Sequence, residues 1–124
     1  MILVDTSVWV DHLRLGDDRL ASLLEACEVA THPLVIGELA VGTLAERDVI
    51  LDLMGRLPRL PVADAGEVLA LIASRDLHGR GLGIVDVHLL ASVLLVPGTE
   101  LWTRDRALAR AAQSLSVAWD AGPP

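Results

Sequence analysis

Ile2-Leu3-Val4 is a continuous apolar run closed by Asp5-Thr6-Ser7, the pattern of a strand buried on both faces that hands over to a helix N-cap. From Val8 to Leu13 the apolar positions take helical spacing. Gly16-Asp17-Asp18 then turns the chain and caps a second helix, Arg19 to Ala26, with Leu20, Leu23 and Leu24 on its core face. Glu28 to Thr31 is long enough for one short strand. His32-Pro33 opens a helix running to about Val41 or Gly42, with Pro in the first turn, where its missing N–H is not needed. Glu46 to Leu57 is predicted as another helix, stopped by Pro58 and Pro61, and Leu60 to Val62 as a short strand. Asp64 to Leu77 places Val68, Leu69, Leu71 and Ile72 on an amphipathic helix. The glycine-rich stretch from His78 to Gly83 follows, a flexible connection expected to border any pocket. Ile84 to Val96 is apolar nearly all round and predicts a buried helix. Glu100 to Thr103 is a strand, Arg104 to Gln113 an amphipathic helix, and Ser116 to Trp119 a last short strand. Short strands alternating with helices imply an α/β domain whose parallel sheet is covered on both faces. No repeat or linker interrupts the pattern, so residues 1–124 are expected to form a single domain.

Composition narrows the chemistry. Hydrophobic residues make up 52% of the 124, enough for a substantial core. Seventeen Asp and Glu against ten Arg give a net charge of −7, which argues against a basic surface that coats phosphates. There is no Phe, Tyr or Lys. Aromatic base-stacking platforms are therefore disfavoured, and P-loop or Schiff-base chemistry is excluded. The single Cys27 allows no internal disulfide and is expected to pack as a small core hydrophobe in a reducing compartment. The N-terminus lacks the basic region of a signal peptide, and the most apolar stretch, Val87 to Val96, is about half a membrane span. A soluble, cytoplasmic protein with no membrane partner is expected.

In an open parallel sheet, ligands bind beyond the carboxyl ends of the strands. Asp5 directly follows the first strand and Asp105 lies two residues after the Glu100 to Thr103 strand, although either could serve only as a helix cap. Glu38 and Asp86 are harder to explain as surface charges. The helical neighbours of Glu38 are Leu34, Val35, Val41 and Gly42, and those of Asp86 are Leu82, Gly83, Leu89 and Leu90, so both are expected on burying faces without a basic partner. By contrast Asp17, Asp18, Glu25, Asp48, Asp52, Glu67 and Asp76 fall in turns or polar stretches and are expected to be ordinary solvated charges. Four carboxylates brought together need raised pKa values or a bound cation. All-oxygen ligands suit Mg²⁺ or Mn²⁺, which can support phosphodiester cleavage by activating water.

The segments Met1 to Asp11, Gly37-Glu38-Leu39, Ile84 to Ala91 and Leu101 to Asp105 resemble the PIN-domain ribonucleases, and among them the VapC-type toxins of toxin–antitoxin pairs. The resemblance implies a three-layer α/β/α fold with a parallel sheet of four or five strands. It also implies a pocket in which Asp5, Glu38, Asp86 and Asp105 hold one or two Mg²⁺ (or Mn²⁺) ions, with Thr6 and Thr103 at the family's hydroxyl positions and Thr103 orienting a carboxylate or a water. The implied activity is endonucleolytic cleavage of RNA by metal-activated water, and the implied partners are a cognate antitoxin beside the pocket and a second copy in a homodimer. Arg104, Arg106 and Arg110 are the candidates for RNA phosphate contacts, with Arg80 a weaker one, and His88 is expected to be structural or at the surface. The alternatives are a solitary nuclease without antitoxin or a non-catalytic PIN-like module. A haloacid-dehalogenase-type phosphatase lacks support, because Ser7 stands where its second Asp is needed and no Lys is present.

Overall fold

The computed structural model describes residues 1–120. Its elements are β1 (Ile2–Val4), α1 (Thr6–Leu15), α2 (Asp18–Glu25), β2 (Val29–Ala30), α3 (Pro33–Val41), α4 (Arg47–Gly55), α5 (Ala65–Ser74), α6 (Ile84–Leu95), β3 (Glu100–Trp102) and α7 (Arg106–Ser114). The three strands are parallel, in the order β2-β1-β3, with Ile2 opposite both Val29 and Glu100. The chain leaves β1 to form β2 on one side and returns, after four helices, to form β3 on the other. The carboxyl end of β1 is therefore the point where the strand order reverses, and Asp5 stands on it.

The expected sheet of four or five strands is thus smaller, with a single bridge added on each edge, Thr31 with Arg59 and Leu101 with Ala118. On the first edge Thr31 N donates to Pro58 O at 2.7 Å and Leu60 N to Thr31 O at 3.1 Å. Pro58 has no N–H to give β2, and the next donor needed from the β2 side would be residue 33, which is Pro33, so the ladder stops. On the other edge Leu101 alone exchanges bonds with Val117 and Trp119, at 2.7 and 2.9 Å.

Leu3, Val4, Val8, Leu20, Val35, Leu89, Leu90, Leu101 and Leu108 form the fully buried centre, joining the sheet to helices α1, α2, α3, α6 and α7. Burying each Leu side chain contributes about 1.5–3 kcal/mol. A smaller cluster of Ala63, Val68, Val87 and Ala91 seats α5 on α6. Helix α6 is buried from Val87 through Val93 except for a half-exposed His88, but Ile84 and Leu95 at its ends are exposed, so it is less enclosed than its composition suggests. Helix α7 begins at Arg106 because Asp105 is its N-cap, and α5 ends short of Leu77, where Asp76 adopts a φ of 56°. Cys27 is exposed with a φ of 57°, correcting its expected place in the core: it turns the chain after α2.

Candidate active site

Three of the four acids that the sequence singles out sit at helix N-termini, where free amides and the helix dipole stabilise negative charge. Asp5 Oδ1 accepts from Thr6 N at 2.8 Å at the start of α1. Asp105 Oδ1 accepts from Leu108 N at 2.9 Å at the start of α7. Asp86 Oδ2 accepts from Gly83 N at 2.9 Å at the start of α6. Capping and site-building therefore coincide, since one oxygen anchors each carboxylate to its helix. The second oxygens of Asp86 and Asp105 have no hydrogen-bond partner among the described residues.

Asp5 is the buried member, 7% exposed. Its Oδ2 accepts from Thr103 Oγ1 at 2.7 Å and from Ser7 Oγ at 3.0 Å. Thr103 Oγ1 in turn accepts from Asp105 N at 3.1 Å, tying the end of β3 to the end of β1. Ser7 is the part that sequence reasoning missed. Its hydroxyl also accepts from Arg104 N at 3.0 Å, and a Ser two residues after an Asp is the local signal that could have pointed to it.

Glu38 approaches from α3, its Oε1 accepting from Thr6 Oγ1 at 2.7 Å. It is exposed, which corrects the burying face inferred for it. Gly37 and Val41 beside it are open to solvent too, so this side of α3 is left uncovered although its residues are largely apolar. Asp86 is half-buried, as expected of it. Burial pushes its carboxyl above the ordinary range, and the charges of Asp5, Asp105 and Glu38 push the same way, against the opposing Gly83 N–H. The four acids are thus one electrostatic group. Among the described residues no three carboxylate, imidazole or thiol side chains converge tightly enough to enclose an ion. The donor set, all oxygen and carrying uncompensated negative charge, nonetheless fits a hard divalent cation.

The arginines divide. Arg104 reaches away from the pocket: its Nη2 lies 2.6 Å from Asp17 Oδ2 and its Nε 3.2 Å from Asp11 Oδ2. Asp17, expected as a solvated charge, has a side chain only 8% exposed and also binds Arg19 at 3.2 Å. Burial pushes its carboxyl upward, but the Arg19 side chain and the backbone N–H groups of Leu20 and Arg19 outweigh this and hold it below the ordinary range. Arg19 lies over the Trp102 ring, 5.4 Å from its centroid. Arg106 and Arg110 are exposed and unpaired among the described residues.

Two neighbouring features complete the surroundings. Between α1, α2 and α4 an apolar groove of about 420 Å³ is walled by Trp9, Leu13, Leu24, Ile50, Met54 and Leu57. Behind α3, His32 is fully buried, and its Nδ1 accepts from Leu34 N at 3.0 Å, so its neutral ring carries the proton on Nε2. His32 Nε2 and His88 Nδ1 are both buried without a hydrogen bond among the described residues. Burial, and then the nearness of His88, push the His32 pKa below its ordinary value.

Residues 2–114 match the PIN domain family. Ribonuclease VapC32 of Mycobacterium tuberculosis, in strains CDC 1551 / Oshkosh and ATCC 25618 / H37Rv, is 55% identical over 118 residues, covering 95% of each chain. A solved structure described as FitAB bound to an IR36 DNA fragment covers 95% of this chain and 92% of its own, with a TM-score of 0.60 and 21% identity, and shares the fold.

Proposed function

The chain belongs to the PIN-domain family and, within it, to the VapC-type toxin endoribonucleases, and from that premise we propose that the pocket formed by Asp5, Glu38, Asp86 and Asp105 binds Mg²⁺ or Mn²⁺ and hydrolyses RNA phosphodiester bonds. The observation that supports this most is the electrostatic coupling of Asp86 to the other three acids at the reversal point of the sheet. Nothing in the fold requires four carboxylates to share one corner, and doing so raises the cost of ionising Asp86.

Asp5, Asp86 and Asp105, with Glu38, would hold the ion, and the ion when bound supplies a water of lowered pKa and charge stabilisation for the phosphate and the leaving oxygen. The chain's own residues supply order. Thr103 fixes the Asp5 carboxylate and the Asp105 backbone together, so two of the acids keep a constant relation. Thr6 holds Glu38. Arg106, beside Asp105, contacts an RNA phosphate, and Arg110 follows one turn further along α7. The Asp11 and Asp17 pairs hold Arg104, so we assign it to positioning the turn from β3 to α7.

The cognate antitoxin seats an apolar segment in the groove between α1, α2 and α4, and the toxin is a homodimer; light scattering of the toxin alone and with antitoxin tests this assembly. No helix among the described residues is long and apolar enough to cross a membrane, and we place the action in the cytoplasm. Cleavage of an RNA oligonucleotide by wild type and Asp5→Asn, with calorimetric titration of Mg²⁺ and Mn²⁺, tests the catalytic reading. Asp5→Asn should lose at least ~100-fold in rate, on the scale of losing a group that stabilises the transition state. Metal-independent cleavage, or an Asp5→Asn chain that cuts normally, would sink it.

A further inference from the structure

The loop between α5 and α6 docks on α7. Gly79 and Gly81 take φ values of 70° and 78°, which side chains rarely adopt. A Cβ on Gly81 would lie 3.7 Å from Ala107 Cβ, so the loop lies directly against the helix. This places Arg80 across from Arg110, and the two arginines with Ala107 and Ala111 line a cleft of about 280 Å³. No carboxylate lines it. Neither guanidinium has a hydrogen bond or ion pair among the described residues, which leaves both free to take a ligand.

Two unpaired arginines lining one cleft can offer their guanidinium donors and charge to a common anion. Two short stretches of chain link the cleft to the acids: α7 starts on Asp105, and the Arg80 loop continues into Gly83, whose N–H Asp86 accepts. We propose that Arg80 and Arg110 form a subsite for a backbone phosphate of single-stranded RNA flanking the bond to be cut. The subsite rests on the ribonuclease reading for its ligand. It gives an acidic nuclease a local cationic grip on RNA, separate from the acids that would hold metal, and so sets how the strand is laid across the pocket.

The test is binding of a single-stranded RNA oligonucleotide by fluorescence anisotropy, read as the dependence of affinity on salt. Wild type, Arg80→Ala, Arg110→Ala, the double variant, Arg80→Lys and Arg110→Lys are compared with Arg75→Ala, which removes the same charge at the end of α5. Each phosphate contact contributes about 0.7 to the salt slope for a single strand, so each alanine variant should lose about 2.6-fold less affinity than wild type between 50 and 200 mM salt. The double variant should lose about 7-fold less. The lysine variants should keep the slope, and Arg75→Ala should leave it unchanged. Wild-type slopes in both alanine variants, an equal change in Arg75→Ala, or no salt-dependent binding by wild type would each overturn the subsite. If the slopes change as expected while wild type fails to cleave RNA, the subsite stands and the ribonuclease assignment falls.

Discussion

Replacing Thr103 by Val keeps the shape of the side chain and deletes one oxygen. That oxygen donates to the buried carboxylate of Asp5 at 2.7 Å and accepts from Asp105 N at 3.1 Å. A hydrogen bond to a charged group contributes about 1.5–3 kcal/mol, and an isosteric methyl leaves the partners no substitute. In the ion-free protein, Thr103→Val should therefore lower the melting temperature by roughly 5–15 °C. The same loosening should reach metal binding, because Asp5 and Asp105 lose their common anchor. Removing a group that orients metal ligands typically costs 10–100-fold in affinity or activity, equivalent to about 1.4–2.7 kcal/mol. Calorimetric titration of Mg²⁺, RNA cleavage at saturating metal and thermal unfolding should be run on wild type, Thr103→Val and Thr103→Ser. The Ser variant retains the hydroxyl and should stay within a few-fold of wild type. Equal metal affinity in Thr103→Val and wild type would refute the idea that this hydroxyl organises the pocket, even if stability fell.

Asp86→Asn should separate activity from stability. The folded state raises the Asp86 pKa above 3.8, so ionising this group weakens the fold as pH rises above that value. The amide keeps an oxygen for Gly83 N–H, and the variant should melt about 2–5 °C higher at pH 7 while losing cleavage. The gain should vanish below pH 3.8, and a variant less stable than wild type at neutral pH would contradict the coupling. His32 titrates in the opposite sense. Its folded pKa lies below 6.5, so its contribution to stability is complete above pH 6.5 and is lost as pH falls below that value, where the unfolded chain binds the extra proton. Urea unfolding at pH 8 and pH 5.5 should show wild type losing more stability than His32→Asn, by at most about 1.4 kcal/mol per pH unit, and equal losses would refute it.

Local pattern was enough to find most elements and to single out the four acids proposed to form the site. An apolar triplet ending in Asp-Thr-Ser defines β1 and the start of α1 because burial and capping are both decided within a few residues. The alternation of short apolar runs with helical spacing likewise fixes the α/β class. What sequence spacing does not contain is partnership at long range. Thr103 and Asp5 are 98 residues apart, Arg104 and Asp17 are 87 apart, and Thr6 meets Glu38 across 32. Strand number depends on such partners too: the stretches near Arg59 and Ala118 have the composition of strands, but their neighbours offer one bridge each. Exposure was misjudged at Glu38, Cys27 and Asp17 for the same reason, since helical neighbours describe one element's face and not what covers it. The net charge of −7 was legible at once. Only the folded chain shows that this acidity includes a group of interacting carboxylates near the end of β1 and that Arg80 and Arg110, far apart in sequence, line one cleft. Parallel pairing decides this, because it carries strand ends and helix N-termini from distant segments to one edge of the sheet.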